Sequence, residues 1–441
     1  MQLRSRRVVT AEGIRPACIH VRDGRIARVA AWDDARGEGA LHDVGDLVIM
    51  PGLVDTHVHV NEPGRTEWEG FETATRAAIA GGVTTLLDMP LNCIPATTTV
   101  AALEAKRAAA RGRVSVDVGF IGGVVPGNAG KLSALRDAGV LAFKCFLVPS
   151  GVEEFPAVSE ADLLVAFPVL ASLGLPLMVH AEHPAHLMPP ATGSAGGYAE
   201  YLASRPPAAE RAAIEMIARL MERWPVRAHI VHLTSRAGLD VVRAARARGL
   251  PLTAETCPHY LTFDASGIPA GATEYKCAPP IRDAIERDAL WQGLLEGDLM
   301  QVVTDHSPAP PAMKASGGNF FTAWGGIASL QLSLPAVWTG ARARGVGIDR
   351  VAQWMCFAPA SLAALGARKG RIAEGLDADV VILDPDATFT VDPSRLLHRH
   401  PLTPYAGRVL HGVVHETWLR GRLASSSGTP AAPSGVLLPA R

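Results

Sequence analysis

Short apolar runs recur along the middle of the chain, and stretches with helical periodicity separate most of them. The helical stretches, such as FETATRAAIA and ERAAIEMIARLMER, are rich in Ala, Leu, Glu and Arg. The eight apolar runs are LVDTH (53–57), TTLLDMP (84–90), VSVDVGF (114–120), VLAFKCFL (140–147), LPLMVHAE (175–182), AHIVHLTS (228–235), LPLTAETCPH (250–259) and MQVVTDHSP (300–308). Eight buried strands that alternate with helices over ~250 residues predict an α/β fold, the (β/α)8 TIM barrel.

A doubly wound open sheet is the alternative arrangement of the same elements. That fold carries a Gly-rich phosphate-binding loop after its first strand. The segment that follows residues 53–57 contains neither a G-x-G-x-x-G nor a Walker sequence. The sequence therefore favours the barrel.

Both ends of the chain show a different pattern, in which apolar residues occupy alternate positions between turns. Asp23-Gly24 separates two such runs and predicts a β-hairpin. The same character returns near the C-terminal end in ADVVILDPDATFTV and GRVLHGVVHETWLRGR. We therefore predict three regions: a small β-sandwich domain formed by both termini (1–50 and 366–425), the barrel (51–365) and a flexible, low-complexity tail (426–441).

Composition narrows the class of protein. Of the 441 residues 48% are hydrophobic and 19% are charged, against ~25% charged in an average domain, which excludes disorder as the main state. Lys and Arg number 42 against 43 Asp and Glu, for a net charge of -1. A nucleic-acid partner would call for a basic excess, so we expect none.

We expect a cytoplasmic protein without a membrane partner. The positive N-terminal residues are not followed by the apolar run of a secretory signal. The longest uncharged apolar stretch, Leu163 to Val179, contains Pro168 and Gly174 and is short for a bilayer span. We interpret it as a buried helix, a turn and a strand. The six cysteines are scattered without a CxxC pair, as is typical of free thiols in a reducing compartment.

Polar side chains of an unusual kind lie at five of the predicted strand ends, where a barrel carries its catalytic groups. They are His57 and His59 on strand 1, Lys144 on strand 4, His180 (followed by Glu182) on strand 5, His232 on strand 6 and Asp305 on strand 8. His57 and His59 point the same way because residues i and i+2 of a strand share a face. Four imidazoles and a carboxylate suit zinc or another late first-row divalent ion.

Each of these residues alone has a more ordinary explanation. A single strand-end histidine is usually a hydrogen-bonded core residue, Lys144 would pair with a buried carboxylate, and Asp305 would cap a helix. Their combination on one face of the barrel outweighs these explanations and predicts a metal site. His259 and His306 lie near that face and are candidates for orienting the ligands.

The remaining candidates are weaker. Cys257 and Cys277 lie close enough to approach the site, but buried free thiols are the default reading. We expect the other histidines to lie on loops or in the β-domain: His20, His42, His183, His186, His229, His398, His400, His411 and His415.

On these residues the sequence resembles the cyclic amidohydrolases of the amidohydrolase superfamily, a family that includes dihydroorotase, hydantoinase (dihydropyrimidinase) and allantoinase. The resemblance covers nearly the whole chain, including GRIAEGLDADVVILDPD at 370–386. It implies that Lys144 is carboxylated by CO₂ to N6-carboxylysine and bridges two divalent metal ions. Zn²⁺ is the expected metal, with Co²⁺, Mn²⁺ or Fe²⁺ as alternatives. His57, His59 and Asp305 would hold one ion, and His180 and His232 the other. The family also implies a homotetramer, with a homodimer as the alternative.

Further residues distinguish the branches of this family. Sequences of the dihydroorotase type have an arginine two positions after the second metal histidine, where this chain has Asn61. Sequences of the hydantoinase type place a tyrosine after the strand-4 lysine, and KCFLVPSG contains none. The segments ETCPHYLTF, KCAPPIRD and GNFFTAWGGIASLQLSLP instead resemble the branch that opens the hydantoin ring of allantoin in purine catabolism.

The resemblance to that branch implies a mechanism and a set of substrate contacts. A hydroxide that bridges the two metals would attack the ring amide of a small neutral cyclic ureide and give allantoate. Asp305 would act as base and then as acid. Asn61, Asn92 and Ser307 would contact the substrate, together with backbone groups of 277–280 and 324–326. A turn-forming role for Asn92 and a helix-capping role for Ser307 are equally weighted alternatives.

Two alternatives remain open. One is a hydantoinase or dihydropyrimidinase that acts on another cyclic ureide. The other is a non-catalytic scaffold homologue that has lost its metal ligands, against which the complete ligand set argues.

Overall fold

Five strands at the N-terminal end begin a β-sheet that lies beside the barrel. The computed structural model describes residues 1–34 and 39–438, and these strands are β1 (Gln2–Thr10), β2 (Gly13–Arg22), β3 (Arg25–Ala30), β4 (Leu41–Asp43) and β5 (Val48–Pro51). The hairpin predicted at Asp23-Gly24 is confirmed, since β2 pairs antiparallel with β3 around it. Both turn residues have positive φ, 51° and 77°, which suits the twist of a two-residue hairpin.

Eight parallel strands follow, and each pairs with the next along the chain. They are β6 (Leu53–Val58), β7 (Val83–Asp88), β8 (Asp117–Gly123), β9 (Ala142–Phe146), β10 (Leu177–His180), β11 (Ala228–Ile230), β12 (Leu252–Thr256) and β13 (Gln301–Val302). The ring closes where Val58 forms a parallel bridge with His306. All eight predicted strands are present, and they are almost entirely buried because helices cover the outer face. The predicted TIM barrel is confirmed.

Helices connect the strands and cover the barrel. They are α1 (Phe71–Ala80), α2 (Val100–Ala110), α3 (Leu132–Asp137), α4 (Glu160–Leu173), α5 (Tyr198–Ser204), α6 (Pro207–Arg223), α7 (Arg236–Ala247), α8 (Pro258–Thr262), α9 (Ala284–Glu296), α10 (Pro311–Lys314), α11 (Ser333–Arg342), α12 (Ile348–Ala352) and α13 (Ala358–Leu362). Ser159 begins α4 with a capping box and Gly174 ends it at φ 70°. The helix, turn and strand predicted for 163–179 are thereby confirmed. No described helix combines the length and the apolar character that a membrane span requires.

Four C-terminal strands complete the sheet that the N-terminal strands begin. They are β14 (Val380–Thr390), β15 (Val409–Leu419), β16 (Arg422–Ser426) and β17 (Thr429–Pro430), and β14 pairs antiparallel with β5. The result is a nine-stranded sheet built from both ends of the chain. This confirms the predicted fold class, while the exact domain boundaries at 50, 365 and 425 stay predictions.

The last described residues of the predicted tail, 435–438, lie against the barrel. Leu437 forms a parallel bridge with Val118, and Leu438 is buried among apolar barrel residues. Gly435 allows this approach, because a Cβ there would lie 2.0 Å from the carbonyl oxygen of Val116. Apolar residues after the low-complexity stretch thus give residues 435–438 a packing site that composition did not indicate. Residues 439–441 of the predicted tail lie outside the described residues.

A buried lysine joins the barrel to the sheet. The Nζ of Lys369 lies 2.6 Å from Asp117 on β8, and 3.0 Å and 2.6 Å from Asp377 and Asp379, which precede β14. The three carboxylates are close enough together to hold a metal ion, but the Lys369 ammonium already pairs with all three. Burial alone would lower the pKa of Lys369, and the three carboxylates raise it above its ordinary value.

We expect Lys369→Met to destabilise the protein by ~3–5 kcal/mol, because it leaves buried carboxylates without their cation. Urea unfolding at pH 7, followed by circular dichroism, measures the change. Lys131→Met, at an exposed position, is the matched control and should unfold like the unmodified protein. Equal midpoints for both variants would contradict the role assigned to Lys369.

Candidate active site

His57, His59 and Asp305 meet at the carboxyl end of the barrel. Oδ1 of Asp305 lies 3.1 Å from Nε2 of His57 and 3.3 Å from Nε2 of His59. The two histidines reach the same oxygen because they occupy positions i and i+2 of an extended segment. The convergence predicted from their spacing is therefore present in the structure.

His232 and His180 lie on the other side of this group. The ring centroid of His232 lies 5.5 Å from that of His57 and 4.6 Å from that of His180. The ligand atoms of His57, His232 and Asp305 all lie within 4.8 Å of one another, as binding of a metal ion requires. Five of the six predicted ligands thus surround one small space.

Lys144, the sixth predicted ligand, is fully buried on β9. Its Nζ has no hydrogen-bond partner in the described part of the chain and lies 4.8 Å from the Phe146 ring centroid. Burial lowers the pKa of Lys144 to about 8, although Asp305 and Glu255 act in the opposite direction. The ordinary explanation, a lysine paired with a carboxylate, finds no support among the described contacts. An unpartnered buried amine beside four imidazoles and a carboxylate fits a centre in which metal ions neutralise a modified lysine.

A buried carboxylate orients His57. Oε1 of Glu255 accepts a hydrogen bond from Nδ1 of His57 at 2.6 Å, which turns Nε2 toward Asp305. Oε2 of Glu255 accepts hydrogen bonds from Nε2 of His229 and Nε2 of Gln301, each at 2.8 Å. Burial would raise the pKa of Glu255, but the imidazoles of His229 and His57 lower it to about 2. Glu255 is therefore an anion that fixes the His57 ring, a common arrangement behind metal-binding histidines.

Glu182 orients His180 in a similar way. It accepts a hydrogen bond from Nε2 of His180 at 2.7 Å, which leaves Nδ1 of that ring for a metal. Arg205 holds the same carboxylate through Nε at 2.9 Å and Nη2 at 2.6 Å. These bonds fix the His180 ring from behind.

Sequence reasoning missed part of this supporting layer. The expectation that His229 lies on a loop or in the β-domain is wrong, because His229 lies on β11 and its ring reaches Glu255 inside the barrel. Glu255 itself was visible as a charged residue in the apolar run 250–259. Lys144 shows the same signal, a charged residue inside an apolar run.

Burial lowers the pKa of three of the four imidazoles among the predicted ligands. Burial lowers the pKa of His59 to about 4 and also lowers the pKa values of His180 and His232. A neutral imidazole has the free lone pair that a metal ion requires. The pKa of His57 rises to about 9, because Asp305 and Glu255 together outweigh the effect of burial.

Two ligand positions carry backbone strain. His232 has φ 41° and Asp305 has φ 47°, in the left-handed region that residues with a Cβ seldom adopt. Such conformations persist where the surrounding structure holds them, and they cluster at functional sites.

A cavity of about 580 Å³ opens onto the imidazoles and Asp305. This volume suits a small molecule. Asn92 and Ser307 both line it, as predicted for substrate contacts. The backbone segments expected to contribute, Cys277 with Ala278 and residues 324–326, also line it.

Asn61 does not line this cavity. Its φ of 66° turns the chain, and its Nδ2 donates to the carbonyl oxygen of Pro308 at 3.4 Å. The structure thus assigns Asn61 to a loop contact. Its role as a substrate contact gains no support from this placement.

The two histidines considered as orienting groups differ from that expectation. Nδ1 of His306 accepts hydrogen bonds from the backbone N–H groups of Ser329 and Leu330, so His306 holds the loop after the barrel. Neither ring nitrogen of His259 has a hydrogen-bond partner in the described residues, and its ring packs 4.1 Å from that of Tyr260. Cys257 and Cys277 are free and buried.

Comparison with known proteins finds relatives along the whole chain. Residues 48–424 match the amidohydrolase family. The chain is 51% identical over 437 aligned residues to the allantoinase of Streptomyces avermitilis. This alignment covers 99% of this chain and 98% of that protein. It is 42% identical over 447 aligned residues to the allantoinase of Arabidopsis thaliana, and this alignment covers 97% of this chain and 88% of that protein. The solved L-hydantoinase (dihydropyrimidinase) from Arthrobacter aurescens superimposes with a TM-score of 0.93 at 30% identity, over 99% of both chains.

We expect Glu255→Gln to weaken metal binding by about 10- to 100-fold, because the amide is a poorer acceptor for the His57 ring. Metal content after dialysis against a chelator series, measured by plasma mass spectrometry, reports the change. Glu210→Gln removes another buried carboxylate, which pairs with Arg282 at 3.0 Å and does not line the cavity. That control should keep its metal, and a loss of metal equal to that of Glu255→Gln would count against the assignment.

Proposed function

The chain belongs to the amidohydrolase family, and we propose that it hydrolyses the hydantoin-ring amide of allantoin to give allantoate. The observation that carries this proposal is the unpartnered Lys144 amine, buried beside the imidazoles and the carboxylate of Asp305. The 51% identity to an allantoinase over nearly the whole chain supports this substrate.

The amidohydrolase family depends on divalent metal ions, and the proposed centre holds two. His57, His59 and Asp305 would hold one ion, and His180 and His232 would hold the other. Lys144, carboxylated by CO₂, would supply an anionic ligand to both. Zn²⁺ is the proposed metal, because these nitrogen and oxygen donors suit it, with Co²⁺, Mn²⁺ or Fe²⁺ as alternatives. When bound, such ions lower the pKa of water and polarise a carbonyl group.

Asp305 carries the proton in the proposed reaction. Its side chain faces the cavity and is 12% exposed, with Oδ1 directed at the ligand imidazoles. It takes the proton of the attacking water and returns it to the departing ring nitrogen, so that one carboxylate acts first as base and then as acid. The imidazoles of His57 and His59 hold its pKa below the ordinary value despite burial, so the carboxylate is ionised.

A neutral cyclic ureide suits the cavity. Asn92 offers an amide that both donates and accepts, and Ser307 offers a hydroxyl group. Position 61 holds no arginine to bind a substrate carboxylate. The guanidinium of Arg205 is already engaged by Glu182.

The proposed setting of the enzyme follows from the same considerations. We propose a homotetramer, with a homodimer as the alternative, that acts in the cytoplasm without nucleic-acid or membrane partners. All six cysteines are free and buried, which agrees with a reducing compartment.

Hydantoinase activity is the second candidate, favoured by the TM-score of 0.93 to an L-hydantoinase. A panel of allantoin, hydantoin and dihydrouracil tests both candidates on the metal-loaded enzyme, with a colorimetric assay for the ring-opened product. We expect the largest kcat/KM with allantoin. Preference for hydantoin or dihydrouracil would overturn the proposed substrate. Absence of bound metal together with no turnover would favour the scaffold alternative.

We expect Lys144→Ala to abolish metal binding and turnover, since both ions lose their bridging group. Short carboxylic acids such as acetate should restore part of the activity by occupying the vacated space. Lys131→Ala, at an exposed position, should behave like the unmodified enzyme. Full activity of Lys144→Ala without an added acid would disprove the bridging role.

We expect Asp305→Asn to keep much of its metal but to lose kcat by ~10²–10⁴-fold, because an amide cannot accept the proton. Steady-state kinetics and metal analysis on the same preparation separate the two effects. Asp137→Asn, at an exposed position, is the control. Unchanged turnover of Asp305→Asn would refute the proton-transfer role.

A further inference from the structure

Two buried lysines lie at the cavity wall: Lys276 lines the cavity, and Lys314 donates to the carbonyl oxygen of Gly326, which also lines it. Lys276 follows the short helix Thr273–Tyr275, and Lys314 ends α10. The residues are only 9% and 5% exposed. Neither ammonium group pairs with a carboxylate in the described residues, although burying an unpaired charge is costly. Burial lowers the pKa of Lys276 to about 8 and that of Lys314 to about 7.

Lys276 donates its protons to the backbone of the loop that follows α10. Its Nζ donates to the carbonyl oxygen of Phe321 at 3.2 Å and to that of Ala323. It also lies 5.2 Å from the ring centroid of Tyr201. The backbone carbonyl of Lys276 accepts from the N–H of Gly326 at 2.8 Å. One residue therefore holds this loop at three points.

Lys314 holds the other end of the same loop. Its Nζ donates to the carbonyl oxygen of Gly326 and lies 3.5 Å from that of Lys276. Its own carbonyl oxygen accepts from the Thr273 hydroxyl at 2.6 Å. The neighbouring Met313 carbonyl accepts from the N–H of Trp324 at 2.8 Å. The two lysines thus stabilise each other's segment as well as the loop.

The loop section 324–326 forms part of the cavity wall, next to Ser307. Gly326 has φ 122°, and a Cβ there would lie 2.3 Å from the Ser307 carbonyl oxygen. The N–H of Gly325 and the carbonyl groups of Trp324 and Gly325 have no hydrogen-bond partner among the residues described. A cyclic ureide carries both N–H and C=O groups, which these backbone groups complement.

We propose that Lys276 and Lys314 are positioning residues, whose ammonium groups hold the backbone of 321–326 in place as a preformed wall for the substrate ring. The inference rests on the proposed function for the identity of that ring. Both ammonium groups donate mainly to backbone carbonyl oxygens, so these hydrogen bonds stabilise the conformation of the loop. If the wall is ordered before the substrate binds, the free energy of binding does not include the entropic cost of ordering the loop.

Lys276→Gln and Lys314→Gln test the proposal by kinetics. Each variant keeps a neutral donor but loses the charged one, so we expect KM for allantoin to rise about tenfold or more. We expect kcat to change by less than about threefold and metal content to stay equal, because neither residue contacts the centre. Lys131→Gln, at an exposed position, is the control. An unchanged KM, with or without a fall in kcat, would overturn the proposal.

Hydrogen exchange on the unmodified holoenzyme and on the two glutamine variants provides a readout that needs no substrate. We expect the amides of Trp324 and Gly326 to be protected about 100-fold or more before any ligand is added. The glutamine variants should lose part of that protection. Exchange at the rate of an unstructured peptide in the unmodified protein would overturn the preformed wall. If the enzyme prefers hydantoin over allantoin, the proposed function fails, while the exchange result still decides the role of the lysines.

Discussion

Burial of charge at the carboxyl end of the barrel is the constraint on which the site depends. Parallel strands bring their carboxyl ends around one point, so polar groups there are buried by the barrel itself. His57 lies between two of them, with Glu255 on Nδ1 and Asp305 near Nε2. The imidazoles of His229 and His57 lower the pKa of Glu255 to about 2 despite its burial. Removing any one of these groups leaves a buried charge without its partner, so the orientation of the ligands and the charge balance are inseparable.

The same region carries backbone strain at residues that have a Cβ. His232, Asp305 and Asn92 have φ values of 41°, 47° and 65°. Each such residue costs ~1–2 kcal/mol, which a loop free to relax would not retain. Hydrogen bonds made by residues just after the strands hold these turns. For example, the backbone N–H of Thr304, next to Asp305, donates to the Asp55 carboxylate at 3.2 Å. The barrel therefore supplies the rigidity that lets side chains point inward at unfavourable φ.

The sequence predicted the parts of this structure that depend on local pattern. Period-two spacing was enough to place His57 and His59 on one side of a strand, and apolar runs were enough to identify all eight barrel strands. Contacts between distant segments lie beyond such patterns. Glu255 meets His57 across 198 residues, and no local spacing pairs them. Asn61 follows the metal motif directly, yet one left-handed residue directs its side chain to Pro308. Loop geometry of this kind follows from packing.

The lysines show how the environment gives one side chain several roles. The chain has six, and five of them are buried. Lys369 has three carboxylates around it and Lys106 has Asp88 at 2.6 Å, so both serve as counter-ions in the scaffold. The ammonium groups of Lys276 and Lys314 donate to backbone carbonyl oxygens and hold the loop 321–326 in place. Lys144 has no hydrogen-bond partner among the described residues. A compact ammonium on a flexible stem fits all three settings, and burial makes its charge depend on what surrounds it. The kind of hydrogen-bond partner, whether carboxylate, backbone carbonyl or none among the described residues, therefore separates the roles of the buried lysines, which burial alone does not.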